Sequence, residues 1–419
     1  MNSSGTLSAG WWKSNYCSDN HLRGDCHSLQ RITVQSYETQ LEEILNQDPA
    51  ALVEAQKAAF ARLTAETGAR YVLFGAGRLG QITLAGLRKA GIEPLAFADN
   101  NPKLLGSKVE GLQVLSPQSA AEQFGANAVF IVTVYTSAPV WEQLRSIRLK
   151  IASFATLAWR YPQTLTPHGG VEHPYKIFEK AEDVRKAFAL WADEASRREY
   201  LGLLKWHATL DQSVLPPHLP QKDIYFVDEL IAPQANEVFV DCGAFDGDSV
   251  REFLERRNGA FRQIIAIEPD PANCKALHAW VESLPLETRN KVRVVQIAAG
   301  SKREMVTFNA TGTAGSSIGE GSYQVQCAPL DYILVDAAPT FIKMDIEGAE
   351  PDALLGARTI IEKDAPVLAI CLYHAQEHLW QIPLTIHSLN NQYHFFLRRY
   401  SDECWETVCY AIPKKRLSI

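Results

Sequence analysis

The chain has 419 residues, of which 46% are hydrophobic and 21% charged, with a formal net charge of -7. That length supplies two or three domains with sizeable cores, and the acidic balance without a basic tract excludes an electrostatic footprint for nucleic acid. No apolar run approaches the roughly eighteen residues that a membrane span needs, and the first thirty residues lack the basic-then-apolar pattern of a signal peptide. The eight cysteines form no C-x-x-C pair and several sit in apolar runs, which predicts buried free thiols, a reducing compartment and a cytoplasmic location.

Residues 1–35 are polar and mixed, and read as a loose arm. From Tyr37 to about Glu66 the spacing of Leu41, Ile44, Leu45, Leu52, Ala55, Ala59 and Leu63 predicts a helix. "YVLFGAGRLG" then starts a strand and a glycine turn, "QITLAGLRKAG" continues as helix, and "EPLAFADNN" and "AVFIVTV" are further strands. Strands alternating with helices predict a parallel sheet covered on both faces, in a domain spanning 36–165. Residues 166–224 read as a helical linker and contain "SVLPPHLPQ", with three prolines in nine residues. The strand–helix rhythm then restarts over 225–419, with strands expected at Glu237–Asp241, Gln263–Glu268, Val292–Ala298, Phe341–Asp345 and Val367–Leu372. The expected fold class is α/β, as two tandem Rossmann-like parallel-sheet domains joined by a helical segment.

"FGAGRLG" places Gly75, Gly77 and Gly80 in G-x-G-x-x-G spacing between a strand and a helix, with Asp99 at the end of the next strand. Such glycines allow a tight turn and close approach to a pyrophosphate, and the carboxylate suits ribose hydroxyls. This predicts a nucleotide or nucleotide-sugar site, although glycine also serves any sharp turn between strand and helix. No constellation for hydride transfer follows it.

The second turn, "EVFVDCGAFDGDSV", differs. Asp241 precedes Gly243 and Gly247, and an acidic strand end opposes a pyrophosphate but suits a ligand carrying an ammonium and a sulfonium. S-adenosylmethionine is such a ligand. Gly243 is expected to make room for its amino-acid part, and the helix N-terminus near Ser249 to serve its carboxylate. Glu268 ends the next strand and can accept from both ribose hydroxyls. Ala298 and Ala299 leave room for adenine after the third.

With these pieces in order, residues 225–413 resemble the FkbM family of S-adenosylmethionine-dependent methyltransferases, which have a class I, Rossmann-like fold. The matching segments include "FVDCGAFDGDS", "IIAIEPDP", "GSSI", "FIKMDIEGAEPDALLGA", "LAICLYH" and "ETVCYAIPK". The resemblance implies O-methylation of a hydroxyl on a sugar, glycan or polyketide-like small molecule. The expected cofactor set is Asp241, Gly243, Ala244, Phe245, Gly247, Asp248, Ser249, Glu268, Pro269, Ala298, Ala299 and Asp345.

Transfer to oxygen is an in-line displacement that also needs the hydroxyl proton removed, by a base or at a bound metal. "FIKMDIEGAE" brings Lys343, Asp345, Glu347 and Glu350 to a strand end, and "LAICLYH" brings Tyr373 and His374. Asp345 is expected nearest the reacting centre, with His374 as base and Lys343 as a further catalytic candidate. A divalent cation held by Asp345 and His374 is an open alternative, as are helix capping by Asp345 and a structural ion pair for Lys343. "HAQEH" also fits the H-x-x-E-H pattern of zinc proteases, but shows no third ligand in sequence. The glycine- and serine-rich segment Asn309 to Ser322 is long for a connection, and predicts a substrate loop that includes Ser316 and Ser317. Competing readings are a non-catalytic nucleotide sensor and an NAD-dependent sugar-modifying enzyme built on the first turn.

Overall fold

The structure is a computed structural model describing residues 35–135, 137–165, 170–313, 315–319 and 321–418. The arm expected over 1–35, with Cys17 and Cys26, lies outside the described residues except for its last position.

The first sheet contains β1 (Tyr71–Phe74), β2 (Ala96–Ala98), β3 (Lys108–Val109), β4 (Leu112–Leu115), β5 (Val129–Val132) and β6 (Lys150–Ser153), in the order β3-β4-β2-β1-β5-β6. All its pairings are parallel except the β3–β4 hairpin. β1, β2 and β5 are buried along their whole length, as strands covered by helices on both faces must be. The expected Tyr37–Glu66 helix is two helices, Tyr37–Leu45 and Pro49–Leu63. Asp48 breaks them apart: its carboxylate accepts from the Ala50 amide, and Pro49 takes the first helical position, where its missing N–H costs nothing.

The second sheet is formed by β7 (Val238–Cys242), β8 (Gln263–Ile267) and β9 (Val292–Val295). A smaller four-stranded sheet follows, made of β10 (Ala298–Ala299), β11 (Glu304–Asn309), β12 (Ser317–Ile318) and β13 (Tyr323–Ala328). The chain then returns to the second sheet through β14 (Phe341–Met344), β15 (Val367–Cys371), β16 (Tyr393–Arg399) and β17 (Thr407–Pro413). The order β16-β17-β15-β14-β7-β8-β9 places the reversal of winding between β7 and β14. Two features depart from the sequence reading. β16 and β17 form an antiparallel hairpin added beside β15, so the sheet is mixed. The third expected strand stops at Val295, and Ala298–Ala299 pairs instead with β13 in the small sheet.

Between the sheets run helices Tyr175–Glu179, Ala181–Leu190 and Glu194–Thr209. Asp193 caps the last of these by accepting from the Ser196 amide at 2.8 Å. The segment lies along the edge strand β16. Trp191 bridges to Phe395, the Ala192 amide donates to the Phe395 carbonyl, and Asp193 and Glu199 pair with Arg398 and Arg399. One apolar cluster includes Leu73 and Ile131 of the first sheet, Trp206 of this helix and Val240 and Ile342 of the second sheet. Among the described residues the six cysteines are free and buried, and no helix is long and apolar enough to cross a membrane.

Candidate active site

The site lies at the carboxyl ends of β7, β8 and β14, where the winding of the second sheet reverses and a crevice opens. Beneath the second glycine turn, Asp241 and Lys343 are register partners on adjacent strands, with Nζ 2.9 Å from the carboxylate and exposures of 0% and 2%. Lys343 also donates to the Gly243 carbonyl at 2.7 Å, so an ion pair ties the turn to β14. Burial pushes the Asp241 carboxyl up to about 6, against the lowering effect of Lys343.

These contacts and their neighbours bear on four of the expected site residues. The charge of Asp241 is balanced by Lys343 below the turn. Lys343 is likewise committed, and its ammonium does not reach the cavity wall. Gly243 lines the cavity with φ +79°, and a Cβ there would lie 1.9 Å from the Asp345 carbonyl oxygen, so the close approach of β14 requires the glycine. At the helix N-terminus expected to serve a ligand carboxylate, the Ser249 amide donates to Asp248 at 2.7 Å.

The cavity is partly open to solvent and holds about 510 Å³ of space between protein atoms, open solvent included. Glu268 stands in its wall and accepts one amide on each oxygen, from Phe245 and Asp270, both at 2.8 Å. Each oxygen keeps a lone pair for a ligand, and burial pushes this carboxyl up to about 7. Ile267, Ile297, Ala298, Ala299 and Phe308 form an apolar slot beside it. Asp270 caps helix Pro271–Glu282 through Oδ1, while Oδ2 accepts from the Gly312 amide and the Ser316 hydroxyl. The Asn309–Ser322 segment is thereby anchored over the cavity. Ser316 lines it, and Ser317 is instead paired with Asn309 in the β11–β12 ladder.

At the other end, Asp345 follows β14 and also lines the cavity. Tyr225 and Tyr373 donate to its two oxygens at 2.9 and 3.0 Å, and His374 Nε2 lies 3.3 Å away. Burial opposes its ionisation, but His374 and Lys343 hold the carboxyl well below its ordinary range. His374 Nδ1 lies 2.8 Å from Glu350 on the other side. Burial pushes the imidazole down, but the two flanking carboxylates override it and hold His374 protonated well above its usual value. A protonated imidazole cannot accept a proton, which argues against His374 as base. Glu347, in the cavity wall with φ +55°, has its carboxyl raised by burial, and Glu406 is raised by burial to about 7. Tyr225 and Glu406 escaped sequence reasoning, whereas Tyr373 was expected at this strand end. Tyr225 lies 120 positions before Asp345, and Glu406 belongs to the β16–β17 hairpin, whose strands were not recognised.

At the first turn, Asp99 accepts from the Ala76 amide at 2.8 Å and the Asn101 amide at 2.7 Å. Gly75 has φ +110°, and a Cβ on Gly80 would lie 1.9 Å from the Gly75 carbonyl oxygen, whereas one on Gly77 meets nothing within 4 Å. Arg78 reaches across to the second unit and donates to the Gly315 carbonyl at 2.7 Å. Its guanidinium fills the space a Cβ on Gly315 would need. The first turn therefore braces the loop over the second.

A mixed seven-stranded sheet wound in this order, with a cavity at its switch point, defines a Rossmann-like methyltransferase fold. Residues 241–404 match the family described as the methyltransferase FkbM domain. The chain shares its fold with the crystal structure of methyltransferase FkbM from Methylobacillus flagellatus KT, at 23% identity and TM-score 0.71, covering 90% of this chain and 100% of that one. A precorrin-6y C5,15-methyltransferase from Geobacter metallireducens GS-15 matches at 12% identity and TM-score 0.29, covering 44% of this chain and 84% of that one. No curated protein matches the chain significantly.

Proposed function

We propose that this methyltransferase uses S-adenosylmethionine to methylate a hydroxyl on a small molecule, in the first instance a sugar or glycosylated natural product. The observation that carries the reading is the cavity wall itself. Glu268, with two oriented oxygens, stands beside an apolar slot, and Asp345 and Glu347 stand at the opposite end. The free lone pairs of Glu268 suit a ribose diol, and the slot suits an adenine ring, so the residues present fit the cofactor.

When bound, the cofactor supplies an electrophilic methyl group. The chain has to orient an acceptor oxygen in line with it, exclude water and take one proton. Asp345, fixed by Tyr225, Tyr373 and His374, stays anionic and orients the acceptor hydroxyl as a hydrogen-bond acceptor. Glu347, a wall carboxylate near Asp345 whose proton affinity burial raises, takes the proton as base. The six buried free thiols support a reducing compartment such as the cytoplasm.

The test is incubation of the whole chain with methyl-labelled S-adenosylmethionine and panels of glycosides and polyketides. Label in a product that survives mild base, as a methyl ether does and a methyl ester does not, supports the reading. Cofactor binding with no turnover of any acceptor would favour a sensor instead.

A further inference from the structure

His374 and His378 lie four residues apart beyond β15, but only His378 begins a helix, His378–Leu389. The intervening turn brings both rings to Glu350, which lies 24 residues before His374 in sequence (374 - 350). One ligand atom from each of the three side chains lies within 4.8 Å of the others. His374 Nδ1 is 2.8 Å from one Glu350 oxygen and His378 Nδ1 is 3.6 Å from the second. The side-chain exposures are 0% for Glu350, 6% for His374 and 5% for His378.

Deeply buried polar atoms normally form hydrogen bonds. Here the second Glu350 oxygen and the Nδ1 atoms of both histidines make none with acceptable geometry. Three buried side chains thus bring atoms that can ligate a metal within 4.8 Å of one another, and their hydrogen-bond geometry is left incomplete. Ligands around a tetrahedral cation held at about 2.0–2.1 Å lie roughly 3.3 Å apart, and the 3.6 Å between His378 Nδ1 and the second Glu350 oxygen is near that spacing.

We propose that Glu350, His374 and His378 bind a divalent transition-metal ion, with Zn²⁺ as the first candidate. Two imidazoles and one carboxylate suit a borderline cation and disfavour Mg²⁺ or Ca²⁺, which prefer oxygen. The surroundings complete the site. Glu350 is oriented by the Ile346 amide, which donates to Oε1 at 2.9 Å and leaves Oε2 to the metal. His374 Nε2 faces Asp345 at 3.3 Å, so its N–H can donate to that carboxylate while Nδ1 binds the ion. The metal would thus lie one layer behind the cavity, with Asp345 as its outer carboxylate and not a ligand. Loading displaces any proton from Nδ1 and so releases protons. Glu377, the acid of the H-x-x-E-H pattern, pairs with Lys176, which leaves the site without a protease's base.

The experiment is metal analysis of the whole chain after chelator treatment and dialysis against micromolar Zn²⁺, with Co²⁺ loading followed by its visible d–d absorption. The expected result is about one equivalent per chain and strong tetrahedral Co²⁺ bands. Both should be lost in His378→Gln and Glu350→Gln variants whose circular dichroism matches the parent. If Glu350→Gln does not fold, His378→Gln decides. Less than about a tenth of an equivalent in the parent, or unchanged stoichiometry in folded His378→Gln, overturns the proposal. Neither readout depends on methyl transfer, so this proposal can fail while the methyltransferase reading stands.

Discussion

The two glycine turns are built on the same plan and differ at a few register positions. In each, a glycine with positive φ follows the central strand, and an acid at the end of the neighbouring strand accepts one amide from the turn and one from two residues further on. Asp99 does this for Ala76 and Asn101, and Glu268 for Phe245 and Asp270. One residue in from the end of the central strand, the first sheet pairs Leu73 with Ile131, and the second pairs Asp241 with Lys343. After the adjoining strand, Thr133 donates to the carbonyls of Phe74 and Gly75 and closes the first turn, whereas Asp345 projects to the second cavity. A shared backbone design therefore does not locate the chemistry. Charges replacing apolar and hydroxyl side chains at matched positions do.

The largest effect should come from Asp345→Asn. The loss of its negative charge at the reacting end should lower kcat about 10²- to 10⁴-fold, with cofactor affinity within a few-fold of the parent. Steady-state kinetics with a labelled cofactor read this directly, and a change confined to KM would break the assignment. Next is Lys343→Met, which leaves Asp241 buried without its partner and should cost about 3–5 kcal/mol in urea unfolding. The volume-conserving Ile131→Leu, at the matched position, should cost less than about 1.5 kcal/mol.

A smaller effect is the pH dependence of cofactor binding. The carboxyl of Glu268 titrates near 7 in the free protein, and ligand hydroxyls donate to its ionised form, so binding lowers that value and releases a proton. Affinity should therefore be complete above pH 7 and fall by up to about tenfold per unit below it. Calorimetry in buffers of different ionisation heat would detect the proton, and the slope should vanish in Glu268→Gln. For folding the sign is opposite: this carboxyl favours the native state below its ordinary value of 4.5, and that contribution is lost as pH rises to about 7. Smallest of all is Gly77→Ala, whose Cβ meets nothing within 4 Å. It should change stability by no more than about 0.5 kcal/mol. Gly247→Ala, at φ +94° and crowded by Leu277 and Trp280, should cost about 1–3 kcal/mol.

Both turns, Glu268 and the strands around them were legible in the sequence because strand, turn and helix signals are local. The family resemblance was legible because the segments occur in order, and the fold and the match over 241–404 bear it out. What stayed hidden was long-range. The Tyr225 hydroxyl reaches Asp345 across 120 positions, and Arg78 reaches Gly315 across 237. β16 and β17 are buried on both faces at all but one position, so no alternation marked them as strands. The need for glycine at 243 arises from the approach of β14, which only the folded sheet reveals.

The central claim is that the methyl donor binds at the second turn and not at the first. The most direct measurement is calorimetric titration of S-adenosylhomocysteine into the parent chain, Glu268→Gln and Asp99→Asn at pH 7.5 or so. Micromolar binding to the parent should weaken roughly 10- to 100-fold in Glu268→Gln, the worth of hydrogen bonds to a charged group, and stay unchanged in Asp99→Asn. Unaltered affinity in a folded Glu268→Gln protein, or loss of binding in Asp99→Asn alone, would contradict it.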